Sequence, residues 1–328
     1  MNMNQRSTGP CPEVTVVIPL YRSAESIARV VAEIERVGGE IDLELVLVND
    51  GSPDNTLAVC REIAGRCTVP LTVVDLSRNF GEHNAVMAGL RHARGAWVIT
   101  MDDDGQNPPA EIPRLIEAAR SGGHDVVFGR YRSKRHSPWR NLGSWFANTV
   151  AEWTLEKPRG LYLSSFRCMS AFVARQVIRY EGPYPYIDGL ILQVTRKLGS
   201  VDVEHRARDS GSSGYTVRKL VRLWTNMFVN FSVQPLRLAT YLGLFMGAAG
   251  LVGVACVVVL WWREAGPAFG WGSLMAALLI FSGAQMVLLG LIGEYLGRTY
   301  LSANRQPQAI ERDVQRVEPA TRGEAPGA

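Results

Sequence analysis

The sequence predicts an α/β fold on a mostly parallel sheet, followed by an apolar C-terminal hairpin that crosses a membrane twice. Three observations predict it. Short apolar runs alternate with helical patterns from Val14 to Phe128, as βαβ units do. Two of the runs end in acids, at Asp50 and at Asp102-Asp103-Asp104. From Leu238 onward the chain turns strongly apolar.

Val14 to Leu20 reads as a buried strand, and the helix after Ser23 and Glu25 presents Ile27, Val30, Val31 and Ile34 on one face. Leu43 to Val48 is a second strand, with a helix from Asn55 to Ala64. Leu71 to Leu76 is a third, followed by Ser77-Arg78-Asn79-Phe80-Gly81 and a helix from Glu82 to Ala93. Trp97 to Met101 is a fourth strand, ending in the three acids, then Gly105-Gln106-Asn107 and a proline pair suited to a first helical turn. A helix over Ile112–Ala119 and a short strand over Asp125–Phe128 follow. A basic stretch with Arg130, Arg132, Lys134, Arg135 and Arg140 leads into a helix from Trp139 to Leu155. Tyr162–Met169 reads as a strand, Val173–Tyr180 and Asp188–Leu198 as helices, and Val201–His205 as a strand. Arg206 to Tyr215 is a polar, Gly-rich loop of the kind that closes over a phosphate site or stays a solvated loop.

Val217, Leu220, Val221, Trp224, Met227, Phe228 and Phe231 recur at helical spacing beside Arg218, Lys219 and Arg222. Such a helix lies in a membrane interface or packs on a core. Leu238–Trp262 carries no charge and exceeds the ~20 residues that span a hydrocarbon core. A second apolar span begins near Trp271. Basic residues flank the pair on both outer sides, which puts both ends in the cytoplasm. Glu294 and Arg298 are i,i+4 partners at the exit. The chain thus divides into a disordered N-terminus (1–12), an α/β domain (13–214), an amphipathic juxtamembrane helix (215–235), a transmembrane hairpin (236–298) and a cytosolic tail (299–328) that is polar and without fixed structure from Gln306.

The net charge of +4 is too mild to argue for nucleic acid. Five cysteines without a CxxC pair argue against a disulfide framework or a zinc site. The polar first residues lack the apolar run of a cleavable signal peptide.

Ligands of open α/β sheets bind beyond the carboxyl ends of the strands. Asp50 and the Asp102–Asp104 run share that edge, so two acidic turns become one candidate pocket. Crowded carboxylates repel unless a cation sits among them, and a hard divalent ion takes carboxylate oxygens together with substrate phosphates. The plainer alternative is a solvated acidic turn in which one Asp caps the next helix.

Val16-Val17-Ile18-Pro19-Leu20-Tyr21, Val48-Asn49-Asp50-Gly51-Ser52-x-Asp54-x-Thr56 and Asp102-Asp103-Asp104-Gly105-Gln106-Asn107-Pro108-Pro109 resemble the signatures of inverting family-2 glycosyltransferases of the GT-A fold. Arg78-Asn79-Phe80-Gly81, the Arg208-xx-Gly211-x-Ser213-x-Tyr215 loop, the apolar pair and Gly293-Glu294-Tyr295-x-Gly297-Arg298 narrow the resemblance to polyprenyl-phosphate glycosyltransferases. It covers nearly the whole chain outside the tails. It implies a nucleoside-diphosphate sugar donor, a polyprenyl phosphate acceptor, Mg²⁺ or Mn²⁺ as cofactor, an inner-membrane location with the catalytic domain in the cytoplasm, and a homo-oligomer, a tetramer among relatives.

Residue by residue, the resemblance places Pro19, Tyr21, Glu25 and Asp50 at the base and ribose. It places Asp102, Asp104 and Gln106 at the metal and diphosphate; Asp103, where relatives commonly carry Ala, either contacts the nucleotide or simply adds charge. Asp104, Arg130, Arg140 and Arg208 form the catalytic set, the three arginines binding acceptor phosphate and donor diphosphate. Gly211, Ser213 and Tyr215 shape the closing loop, and Arg206 stands in for a Lys that relatives often carry where this chain has Gly214. Asp188 is either a sugar contact or a helix N-cap. A processive polysaccharide synthase would need more spans and a Gln-x-x-Arg-Trp motif, which is absent. A nucleotidyltransferase would not need the hairpin. A non-catalytic, membrane-anchored nucleotide-sugar binding protein would not need Asp102, Asp104 and Gln106 intact.

Overall fold

The computed structural model describes residues 11–131, 158, 160–204, 234–263, 271–304 and 307–319. The expectations for the N-terminal residues through 10, the helix over 139–155, Arg140, Arg206, Arg208, Gly211, Ser213, Tyr215 and the amphipathic stretch through 233 lie outside them. The chain divides into two compact units, one of Met1–Gly214 with Pro307–Ala328 and one of Tyr215–Gln306.

The first unit is built on a mixed sheet. Its described strands are β1 (Val14–Leu20), β2 (Leu43–Asn49), β3 (Leu71–Leu76), β4 (Trp97–Thr100), β5 (Val126–Tyr131), β6 (Arg167–Ser170), β7 (Leu198–Val203) and β8 (Glu311–Val317). They lie in the order β7-β5-β6-β4-β1-β2-β3-β8. β1, β2, β3 and β4 pair in parallel, β1 with Val14 opposite both Leu43 and Trp97. Their near-continuous apolar sequences follow from burial on both faces, and every residue of β2 is buried. The helices are α1 (Ile27–Gly38), α2 (Thr56–Ala64), α3 (Glu82–His92), α4 (Ile112–Ser121), α5 (Ala171–Val177) and α6 (Ile187–Val194). α1 buries Ile27, Val30, Val31 and Ile34, the face its periodicity predicts. α3 presses on β1 and β2 through Gly89, where a Cβ would stand 2.4 Å from a Val17 methyl.

The chain runs β1 to β2 to β3 outward on one side, then crosses to place β4 on the other side of β1. That reversal is a topological switch point, and the crevice beyond its strand ends is where open α/β sheets bind ligands.

Three later elements shift from expectation. The strand read over Tyr162–Met169 is confined to Arg167–Ser170, the helix from Asp188 ends at Val194, and the last strand of the central region begins at Leu198. The larger correction is the tail. Glu311–Val317, read as part of a segment without fixed structure, is β8, antiparallel to β3 with Val73 opposite Gln315. The sequence hides it because ERDVQRV is as charged as an edge strand needs to be to avoid further pairing, and its partners lie far upstream. Arg61 meets Asp313 at 3.0 Å, His92 meets Glu311 at 3.1 Å, and Arg316 reaches buried Glu44 at 3.4 Å. The Gln308 amide donates to Tyr180 O and Gly182 O, each at 2.8 Å.

The second unit contains α7 (Gln234–Trp262) and α8 (Trp271–Ala303). α8 runs beyond the expected span, and its Ile280–Ala303 segment is long and apolar enough to cross a membrane. Two spans were expected; in α7 the qualifying apolar stretch, Ala239–Gly253, is shorter than a span. The expected Glu294–Arg298 pair forms, at 2.7 Å.

Because β8 closes the β3 edge, truncation after Gln306 should lower the thermal midpoint of the purified protein by several degrees, at ~2–4 °C per kcal/mol. Truncation after Pro319 should leave it unchanged. Equal midpoints for the two truncations, by scanning calorimetry in detergent, would refute a stabilising role for the strand.

Candidate active site at the switch point

The carboxyl ends of β1, β2 and β4 bring Tyr21, Asp50 and the Asp102–Asp104 run to one edge. Pro19 is within β1, Tyr21 follows it with 46% of its surface exposed, and Glu25 is exposed ahead of α1. Asp50 is buried just past β2, and its two oxygens accept Phe80 N at 2.7 Å and Gly81 N at 2.8 Å. Burial raises its pKa while those two N–H groups oppose the shift. Asp50 therefore ties the Arg78–Gly81 turn to the sheet. Gly51, at φ +56, makes the fit possible, since a Cβ there would stand 2.4 Å from the Arg78 carbonyl carbon.

The acids after β4 take separate partners. Asp102 Oδ2 accepts the Ser165 hydroxyl at 2.5 Å. Asp104 Oδ1 accepts Gln106 N at 3.1 Å, a local turn bond. The three acids do not cap the following helix, whose N-cap is Pro108 without a side-chain bond. Burial, then the charges of Asp102 and Asp104, lift Asp103 to about 6, with the Ser23 hydroxyl opposing.

Arg130 can be placed by register. Thr100 pairs with Arg167, and Arg167 pairs with Phe128. Two residues further on, Asp102 and Arg130 reach the same edge, two strands or about 10 Å apart. The Arg130 guanidinium there donates to Asp202 of β7 at 2.5 Å. An incoming phosphate would have to share it with that carboxylate.

Of the wall opposite these acids, sequence reasoning singled out only Asp188. It consists of Glu82 and His83 on the first turn of α3, Arg167 on β6, and Asp188 with Tyr186 at the start of α6. Arg167 is buried; its Nε donates to Thr100 Oγ1 at 3.0 Å and its Nη1 pairs with Asp188. Asp188 is not the helix N-cap, a position held by Tyr186. Burial raises the Asp188 pKa, and Arg167 and a Tyr186 hydrogen bond counter it. His83 lies edge-on to the Tyr186 ring at 5.3 Å, its Nδ1 buried without a hydrogen-bond partner among the described residues. Burial and then Arg167 push its pKa down to about 4, so it is neutral at pH 7. The Glu82 side chain faces the opening, yet enclosure and then Asp102 raise its pKa to about 7, with Asp188 and Asp103 adding and Arg167 opposing. A Glu and a His just past a Phe-Gly turn read as an ordinary helix start, so only the strand order reveals them.

Among the described residues no three His, Cys, Asp or Glu side chains converge in a ready-made metal cage. The donors at the edge nonetheless suit a hard cation. Asp102, Asp104 and Gln106 offer side-chain oxygen ligands, and Asp103 and Glu82 are raised partly by the negative charge of neighbouring carboxylates. Mg²⁺ is bound in this way by one or two carboxylates, waters and substrate phosphates.

This sheet order and acidic edge are those of a GT-A glycosyltransferase. The model of Glycosyl transferase family 2 matches residues 15–179, and that of the GtrB C-terminal hairpin matches residues 234–299. The undecaprenyl-phosphate 4-deoxy-4-formamido-L-arabinose transferase of Edwardsiella ictaluri is 35% identical over 312 residues, 93% of this chain and 94% of that protein. The transferase of the same name from Pseudomonas savastanoi pv. phaseolicola is 34% identical over 316 residues, 94% and 92% of the two chains. The glucosyl-3-phosphoglycerate synthase of M. tuberculosis matches with a TM-score of 0.50 at 18% identity, over 66% of this chain and 78% of that one. A structure of that synthase with Mn²⁺, UDP-glucose and phosphoglyceric acid matches equally, at 0.50 and 18%, over 66% and 79%. At such identity the likeness speaks for the fold alone. The chain belongs to glycosyl transferase family 2 and is an enzyme of that class.

A carboxyl whose folded pKa is raised loses stability as pH climbs from its unfolded value toward the folded one. For Glu82 that window runs from the ordinary ~4.3 to about 7. In chelator, Glu82→Gln should therefore raise the thermal midpoint at pH 8 and change it little at pH 4.5. A difference independent of pH would remove the charge crowding assigned to this wall.

Proposed function

We propose that the enzyme transfers a sugar, with inversion, from a nucleoside-diphosphate sugar to a polyprenyl phosphate, undecaprenyl phosphate in a bacterial membrane. The observation that carries this is the near full-length likeness, hairpin included, to transferases named for undecaprenyl phosphate. The apolar Ile280–Ala303 segment supports residence in the inner membrane, and the flanking basic residues support a cytoplasmic catalytic unit.

Pro19, Tyr21, Glu25 and Asp50 receive the nucleoside, with Asp103 beside it. Asp102, Asp104 and Gln106 hold Mg²⁺ or Mn²⁺, which when bound neutralises the donor diphosphate and stabilises the departing nucleoside diphosphate. Arg130, Arg140 and Arg208 bring cationic donors to the two phosphates, and Arg206, Gly211, Ser213 and Tyr215 close over them. The acceptor is a phosphate monoester, largely dianionic at neutral pH because its second pKa is ~6. It is already a nucleophile, so the protein's work is alignment and charge neutralisation. His83, neutral at pH 7, adds no competing cation beside the diphosphate. In-line attack by the phosphate oxygen on the anomeric carbon breaks the bond to the donor diphosphate and inverts that carbon.

The test is a donor panel: membranes containing the enzyme, undecaprenyl phosphate and labelled nucleotide sugars, with and without EDTA. One donor should give a chloroform-soluble product, lost in EDTA and restored by Mg²⁺ or Mn²⁺. No lipid-linked product from any donor would overturn the function, and full activity in EDTA would overturn the metal. With the active donor, Arg208→Ala should cut kcat/KM for the acceptor about 10- to 100-fold, the worth of a lost charged hydrogen bond. Unchanged kinetics would remove Arg208 from the site.

A further inference from the structure

Two described residues other than glycine have φ in the left-handed region, and one of them stands at the head of the crevice: Arg22, at φ +60. For a long L side chain this conformation is unfavourable, and Gly or Asn suits it better. The neighbouring chain imposes it. Leu20 O accepts Asp50 N at 2.9 Å, Arg22 N donates to Ser52 Oγ at 3.2 Å, and Ser23 N donates to Thr56 Oγ1 at 2.9 Å. Ser52 is held in turn by its N–H on Asn49 Oδ1 at 3.3 Å. The backbone is thus pinned on both sides of Arg22. Packing does not ask for an arginine there, because the side chain is exposed. Among the described residues it enters no ion pair; its guanidinium lies 5.6 Å from the centroid of the half-exposed Tyr21 ring. Strain retained where no fold contact needs the side chain is a mark of use by a ligand.

We infer that Arg22 is a nucleotide-binding residue whose guanidinium, aimed by the left-handed backbone, joins the Tyr21 ring in forming a planar platform for the base of the donor nucleotide. This rests on the nucleoside-diphosphate-sugar reading above. The chemistry fits the geometry: a guanidinium is flat and weakly hydrated and stacks on aromatic planes, and a base offers a π-face whatever its edge. The pair follows β1, whose neighbour β4 carries the Asp102–Asp104 run beyond its own end, so base platform and acids belong to one sheet edge.

Strain and use are separable. In the detergent-purified full chain, Arg22→Gly and Arg22→Asn should hold the thermal midpoint or raise it by about 2 °C. The same variants should weaken binding of the best of UDP, GDP, CDP and ADP about tenfold by titration calorimetry with Mg²⁺, while leaving binding of inorganic pyrophosphate unchanged. Arg22→Lys, which keeps the charge but not the plane, should bind the nucleotide like the Asn variant. A fall in midpoint would make Arg22 a structural residue. Equal weakening of nucleotide and pyrophosphate would make it a phosphate ligand. Unaltered nucleotide affinity would remove it from the site, and each of these three results overturns the inference alone. If the unaltered protein binds none of the four nucleotides, the donor reading falls and the inference with it.

Discussion

The structure depends on the reversal of strand order at β1. With β2 on one side and β4 on the other, the loops after these strands splay apart and leave a crevice. Into it come Tyr21 and Arg22, Asp50 with the turn it ties down, and the three acids after β4. These three groups lie far apart in sequence, at the ends of β1, β2 and β4. All are held by strands whose apolar side chains are buried on both faces, so the polar edge is positioned by the most rigid part of the molecule.

The crevice has a second wall, and there the charge of Arg167 is met by pairing. Arg167 lies between Thr100 and Asp188 and joins the end of β4 to the start of α6. Breaking such a buried pair by removing one partner costs several kcal/mol, roughly 3–5. The wall is therefore a rigid support for whatever binds against it. Beside it, burial and neighbouring carboxylates raise the pKa values of Glu82 and Asp103, a setting that a cation bound together with a diphosphate would relieve.

β8 shows how the chain links its two units. The chain leaves the α/β unit, builds α7 and α8, and returns to complete the sheet edge beside β3. The returning segment also hydrogen-bonds the Tyr180–Gly182 turn that leads to α6 through Gln308. Residues downstream of the apolar helices thus support the wall that carries Asp188, and the catalytic unit is discontinuous in sequence.

The sequence by itself determined the α/β class, the alternation of strands and helices through β5, the buried face of α1, the apolar C-terminal region and the Asp50 and Asp102–Asp104 edge. Those features are local: period-2 and period-3.6 patterning and strand-end acids are written within ten or fifteen residues. Tertiary structure alone decided three things. Glu82 and His83 face the acids because α3 follows β3 and lies against β1 and β2. Asp188 serves Arg167 instead of capping its helix, because β6 runs antiparallel beside β4. Glu311–Val317 is a strand because β3 offers an open edge and Arg61, His92 and Glu44 wait along it. In each case the deciding contact joins residues far apart in the chain, and local patterning carries no record of such a contact.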